Sequence, residues 1–278
     1  MALFNLVPGL EAIVRYLPAR LRVLAALHGM PSAGVYFVNS VTGADAAGRG
    51  TRDAPLATWD YAYTTADGYA DPNVGDIIVL MAGHAQTLSA AGAVTIDVAG
   101  VEVVGLGQGA NVPTITFANT AASVLITAAS TKITNVRGVP SVDSVTNPFH
   151  VQAADCTLGI EWRDASATIE AVRAILTTAA ADRLKVRLKY WGFTTGDAVV
   201  NAIRLVGVDG ADIDIEAFGL CSTAWVEFVT TACTNVHVTG RLFTQGITNF
   251  TRDVVDTVTG STWSAEVFDA SAGAKVSG

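Results

Sequence analysis

Short strand-like segments recur along the middle of this chain at intervals of about 23 to 30 residues, and this narrows the possible folds more than any other feature. Residues 98–105, 129–136, 153–160, 208–215 and 231–238 each open on a small or polar turn and run on into alternating residues. Residues 183–188, Arg-Leu-Lys-Val-Arg-Leu, fit between them with unbroken alternation. Companion runs lie between these segments at 113–117, 123–126, 202–206 and 225–229. Alternation sends successive side chains to opposite faces of a strand, here Val, Ile and Leu to one face and Thr, Asp, Lys and Arg to the other. One such unit cannot bury its apolar face alone, so the units must stack. The pattern predicts an all-β fold: a right-handed, single-stranded parallel β-helix over residues 34–250, each coil advancing one strand spacing of about 4.8 Å.

Composition agrees with a packed, extended surface. Half of the 278 residues are hydrophobic and 15% are charged, well below the usual quarter. A chain so poor in charge either buries much of its surface in an assembly or shows a wall rich in Thr, Ser and Ala. The net charge of -8 argues against a general nucleic-acid binder, which needs a basic face. The three cysteines, Cys156, Cys221 and Cys233, form no CxxC pair and are expected as buried small apolar groups. No stretch approaches the roughly 20 apolar residues of a membrane span. The N-terminal region is broken by Glu11, Arg15, Pro18, Arg20 and Arg22, in the wrong order for a signal peptide. Synthesis and folding in a cytoplasm are expected, with no membrane partner.

The ends differ from the middle. In residues 1–33, Leu10, Ile13, Val14, Leu17, Leu21, Leu24 and Leu27 recur at three- and four-residue steps, with Arg15 and Arg22 on the other side. This predicts an N-terminal α-helical arm, kinked at Pro18 and stopped near Gly29 and Pro31. A helix of this size is marginal alone, so its apolar stripe must dock on the solenoid or on another subunit. Within the solenoid, Ile169, Val172, Leu176 and Ala179 have helical spacing behind a Ser166 or Thr168 cap, which predicts one short inserted helix at about 166–181. Residues 251–278 read as a tail or cap in which Trp263 and Phe268 dock on the last coil or on another chain. Leu10, Ile13, Leu17, Leu21, Leu24, Arg15, Arg22, Trp263 and Phe268 are therefore the candidate attachment residues.

Residues 35–84 carry a further pattern: Tyr36-Phe37-Val38-Asn39, a Gly-rich stretch from Gly43 to Gly50, Ala54-Pro55-Leu56-Ala57-Thr58-Trp59, then Gly75-Asp76-Ile77-Ile78-Val79-Leu80-Met81-Ala82-Gly83-His84. This resembles the opening of pectin-lyase-like β-helix proteins, where a first strand leads to a Gly-rich loop, a Pro-Leu-x-Thr step, a short helix and a Gly-Asp strand. Ile115-Thr116-Phe117 fits a later strand of that superfamily. The resemblance covers about fifty residues and implies the fold; chemistry does not follow from fold. Such solenoids recur in bacteriophage tailspikes, fibres and head-decoration proteins. The arm, the modest number of coils and the Ser/Ala/Gly-rich end look like a virion protein of this kind.

Candidate chemistry is sparse. Glycan hydrolysis needs two carboxyls about 5 to 9.5 Å apart. The acids available to such a site are Asp155, Asp164, Asp209, Asp212, Asp214 and Glu216. Asp212, Asp214 and Glu216 alternate along one strand, and Arg183, Lys185, Arg187 and Lys189 do so about one coil earlier. Cross-strand pairing of the two stripes explains both without chemistry, provided that they share a wall. Trp162, Trp191 and Trp225 are candidate sugar platforms. His84, His150 and His237 lack metal or triad partners, and Gly105-Leu106-Gly107-Gln108-Gly109 reads as a turn rather than a phosphate loop. No cofactor is implied. The expectation is a non-enzymatic phage virion structural protein, a capsid decoration or head-fibre protein. It would form a homotrimer and bind the major capsid protein or another virion protein. The rival is a tailspike-like protein that binds or depolymerises a surface glycan.

Overall fold

The sequence of the strand Lys185–Trp191, Lys-Val-Arg-Leu-Lys-Tyr-Trp, turns each second side chain inward, and its exposure alternates without a break. The same period-two rule shapes a stack of parallel strands in the computed structural model, which describes residues 34–63, 69–70, 75–196, 198–229, 231–244, 249–253, 260–269 and 274–277. The arm predicted over 1–33 lies outside the described residues, together with Leu10, Ile13, Leu17, Leu21, Leu24, Arg15 and Arg22.

Strands β1 (Val35–Val38), β2 (Ile77–Leu80), β3 (Ala85–Leu88), β4 (Val94–Ile96), β5 (Glu102–Gly105), β6 (Thr114–Phe117) and β7 (Val124–Ile126) build the first coils. Strand β8 (Lys132–Pro140) then joins two walls into one. Its first residues pair with β5 and its last with β6. Asn135 bends between them at φ +57, and its Nδ2 donates to the carbonyls of Gly105 (2.8 Å) and Gly107 (3.1 Å). The later coils hold two strands each: β9 (Phe149–Val151), β10 (Thr157–Arg163), β11 (Ile175–Thr177), β12 (Lys185–Trp191), β13 (Ile203–Leu205), β14 (Asp212–Gly219), β15 (Ala224–Phe228), β16 (His237–Thr244) and β17 (Asn249–Asp253). The long wall continues past residue 250. Strand β18 (Thr262–Asp269) pairs in parallel with β16, and β19 (Ala274–Ser277) folds back antiparallel on β18.

The long wall runs β1-β2-β5-β8-β10-β12-β14-β16-β18 and the short one β17-β15-β13-β11-β9-β7-β4. The chain is a parallel β-solenoid of about six turns. One register position falls on Ile77, Glu102, Lys132, Thr157, Lys185, Asp212, His237 and Thr262, at steps of 25 to 30 residues. Two residues before each of them the backbone turns at positive φ, at Gly75, Gly100, Ser130, Asp155, Arg183, Gly210, Asn235 and Gly260. The small or polar turn seen in each repeat is this left-handed corner, where Gly is free and other residues are strained.

Inside, Leu158, Val186, Ile213 and Val238 stack from coil to coil and are buried. Phe117 packs against Phe149 and Trp162 with ring centroids 5.7 and 5.5 Å apart. Gly138 makes room for Trp162, since a Cβ there would lie 2.6 Å from the indole. Phe37, Ile77, Val79 and Val104 form a second buried apolar cluster, alternating along their strands with the core residues Val38, Ile78, Leu80 and Val103. At this start Leu56 bridges to Val38, and a 3-10 turn over Asp60–Tyr63 follows Trp59.

The inserted helix is absent. Residues 166–169 form a tight turn closed by a Ser166–Ile169 bridge, Ala171 bridges to Val145, and residues 175–177 are strand β11. Ile169, Val172, Leu176 and Ala179 all keep partial or full exposure, whereas Ala171, Ala174, Ile175, Thr177 and Ala181 are buried. The helical spacing was coincidental; pairing of Ile175 with Phe149 and Ile203 decides the conformation. Among the described residues, no helix is long and apolar enough to cross a membrane.

Candidate functional site

The outer face of the long wall, from β8 to β18, carries ordered rows of charged residues. Period-two alternation places Lys185, Arg187, Lys189 and Trp191 on this face of β12. It does the same for Asp212, Asp214, Glu216 and Phe218 on β14. The two strands lie side by side in register, Lys185 to Asp212, Arg187 to Asp214, Lys189 to Glu216 and Trp191 to Phe218. The predicted complementary stripes thus share one wall, except that Arg183 stands at the corner and pairs with Asp155. Lys189 Nζ lies 3.6 Å from a Glu216 carboxylate oxygen, and the Trp191 and Phe218 ring centroids are 6.3 Å apart.

The neighbouring strands extend both themes. The Lys189–Glu216 row runs from Arg137 and Glu161 on one side to Arg241 and Glu266 on the other, so charge alternates strand by strand. Glu161 accepts from both Arg137 (Nη2 at 3.4 Å) and Arg163. The next row holds Arg163, Trp191, Phe218, Phe243 and, by register, Phe268. Trp191 is 40% and Phe218 36% exposed, large values for aromatic side chains on a sheet. Shallow depressions on this face are lined by Arg187, Lys189, Asp214, Glu216 and Arg241, and nearer β8 by Lys132, Lys185 and His237.

The other candidate acids do not converge with these. Asp155 receives two hydrogen bonds from Arg183, at 2.6 and 2.7 Å, and its carboxyl titrates below the usual range because of them. Asp209 accepts from Thr234 and Asn235 at the same corner. Asp164 is buried. Its Oδ1 accepts from Trp162 Nε1 (2.9 Å) and its Oδ2 from Tyr190 Oη (2.8 Å). Burial raises its pKa to about 6, against the pull of those bonds. Both oxygens are held by the protein's own donors, which suits a structural carboxyl.

The histidines are dispersed. His84 is buried; Ser40 N donates to its Nδ1 at 3.1 Å, and burial lowers its pKa to about 4. Burial and Arg173 also lower His150. His237 pairs with Thr262 Oγ1 at 2.7 Å. All three cysteines are buried, with Cys156 raised to about 11 and Cys221 to about 12 by burial. Among the described residues, no group of three or more His, Cys, Asp or Glu is gathered as a metal site requires. Gly107 and Gly109 lie in the loop between β5 and β6, as a turn reading requires.

Of the three tryptophans read as sugar platforms, Trp162 and Trp225 are core residues and Trp191 reaches the surface. Phe218 was missed, although the same count of two from Glu216 leads to it. Trp263 and Phe268 lie on β18, with Phe268 in register with Phe243; their side chains lie outside the described residues. Comparison with protein families, with curated proteins and with solved structures finds no match for the chain.

Proposed function

We propose that this chain is a non-enzymatic structural protein of a bacteriophage particle, a decoration or fibre-like solenoid that binds the major capsid protein or another virion protein. One observation carries the non-catalytic part. The outward acids Asp212, Asp214 and Glu216 each stand in register with a cation one strand away, so the wall's charge is organised as a ladder. The virion part rests on the resemblance of residues 35–84 to the opening of pectin-lyase-like β-helices, a fold that recurs in tailspikes, fibres and head-decoration proteins, and on the likeness of the arm sequence, the coil number and the Ser/Ala/Gly-rich end to such proteins. The protein would be made in the host cytoplasm and end in the virion. Gold-labelled antibody against the purified chain should decorate intact particles from its source; unlabelled particles would sink this assignment. Asp212→Asn with Asp214→Asn should lower the melting temperature modestly and leave attachment to particles intact.

A tailspike-like reading, binding of a surface glycan, is favoured by Trp191 and Phe218, whose exposed rings offer apolar platforms beside charged side chains. It predicts retarded migration in gels containing host-type capsule or lipopolysaccharide, abolished by Trp191→Ala. Shortening of those polymers would overturn the non-enzymatic assignment.

A further inference from the structure

The charges on the outer face of the long wall are antisymmetric about a line between β12 and β14. Consider a rotation of 180° about an axis that lies in that surface, parallel to the strands. It preserves strand direction, turns the face over, and lays β12 of one copy on β14 of another. It also lays β10 on β16 and β8 on β18. Lys185 then meets Asp212 of the second copy, Arg187 meets Asp214, and Lys189 meets Glu216. One coil further out, Glu161 meets Arg241. The remaining rows bring no like charges together: Lys132 faces Thr262, Thr157 faces His237, and Gly159 faces Thr239. In the outermost row Trp191 meets Phe218, and Arg163 meets Phe243, a cation over an aromatic ring. The alternating row alone would fit several axes, but the Lys185–Asp212 and Arg187–Asp214 rows fix this one.

We infer that a second copy of this chain docks face to face on strands β8 to β18 about this two-fold axis. Each row at the centre becomes a square of alternating charge, in which every ion has one opposite neighbour in its own chain and another in the second copy. Isologous contact of this kind closes on itself and stops at two chains. Six strands at about 4.8 Å, each about 23 Å long, cover about 650 Å² per copy, or about 1,300 Å² in total, within the range of specific interfaces. The exposed Trp191 and Phe218 supply the aromatic contact that the ladder of ions lacks. This inference does not depend on the virion assignment, and it replaces the threefold symmetry expected from sequence with a twofold one.

Sedimentation equilibrium and native mass spectrometry of the full chain test it. The expected result is a two-chain species whose association weakens as salt rises, because half-exposed ion pairs are screened. An all-acidic variant (Lys185→Glu, Arg187→Glu) and an all-basic variant (Asp212→Lys, Asp214→Lys) should each associate at least roughly ten-fold more weakly alone. Mixed, they should form a dimer with one chain of each. If either variant loses its cooperative melt, an exchange variant replaces it: Lys185→Asp, Arg187→Asp, Asp212→Lys and Asp214→Arg together. It keeps the net charge and every intrachain pair, and should dimerise with itself yet form no mixed dimer with the wild type. A wild type that stays a single chain, whether or not another segment covers this face, would overturn the inference. So would a three-chain assembly, or an exchange variant that pairs freely with the wild type.

Discussion

Ser130 sits at φ +59 in a corner that Gly75, Gly100, Gly210 and Gly260 occupy in other coils. A non-Gly residue there carries about 1 kcal/mol of backbone strain. Ser130→Gly should therefore raise stability by about 0.5 to 1 kcal/mol in chemical denaturation, and Ser130→Val should lower it by at least as much. Arg183 occupies the same corner position, but its bonds to Asp155 offset the strain, so Arg183→Gly should not stabilise. Two buried groups set opposing pH slopes. Asp164 titrates near 6, above the roughly 3.9 of an exposed carboxyl, so the folded chain holds a proton that the unfolded chain releases. Its contribution to stability is full below about pH 4 and is lost as pH rises through 6. His84 titrates near 4, below the usual 6.5, so its contribution is full above about 6.5 and is lost as pH falls toward 4. Each amounts to about 3 kcal/mol across its window, and between pH 4 and 6 they nearly cancel. Melting curves at pH 4.5 and 7 should separate them. Asp164→Asn should make acid destabilisation steeper and His84→Asn shallower; unchanged slopes would show that neither group titrates as described.

At the scale of the element, β12 and β14 show how much a strand's own residues decide. Alternation in Lys-Val-Arg-Leu-Lys-Tyr-Trp and in Asp-Ile-Asp-Ile-Glu-Ala-Phe sorts the core from the wall before any partner is known. The segment from Ser166 to Ala181 shows the limit. Its Ala content and four-residue spacing suit a helix, but a strand in mid-stack gains a neighbour on each side, and these outweigh local propensity. Elements on the short wall are tied by a partly buried polar chain that no local pattern reveals. Arg173 donates to Asn147 Oδ1 (2.6 Å) and Asn201 Oδ1 (3.3 Å), and Asn201 Nδ2 donates to Glu227 (2.9 Å), which also lies 3.4 Å from Arg204. Asn201→Ala removes one link and leaves charged groups short of partners, a loss of about 2 to 3 kcal/mol in urea unfolding. Asn201→Asp, next to Glu227, should be worse still.

Across the whole molecule, each coil touches mainly the coils above and below, so stability is nearly one-dimensional. Central strands gain from two neighbours and end strands from one. Amide exchange should accordingly be slowest in β10, β12 and β14 and faster in β18 and β19. Protection that is uniform along the stack would argue against this coil-by-coil cooperativity. The two-fold pairing inferred above would add protection on the outer face of the same central strands, so dilution should lower protection there first.

The sequence by itself determined the class of fold, the inward and outward sides of its strands, the small or polar turn of each repeat and the matched charge stripes. Those follow from a period of two and from what a small or polar turn allows, both of which are local. Only the tertiary structure decided that Ser166–Ala181 is a turn and a strand, that Trp162 and Trp225 are core while Trp191 is surface, and that Phe218 stands beside Trp191. Each of these depends on register between residues 25 to 30 positions apart. Register is set by hydrogen bonding and packing between coils, and no single coil's residues encode it alone.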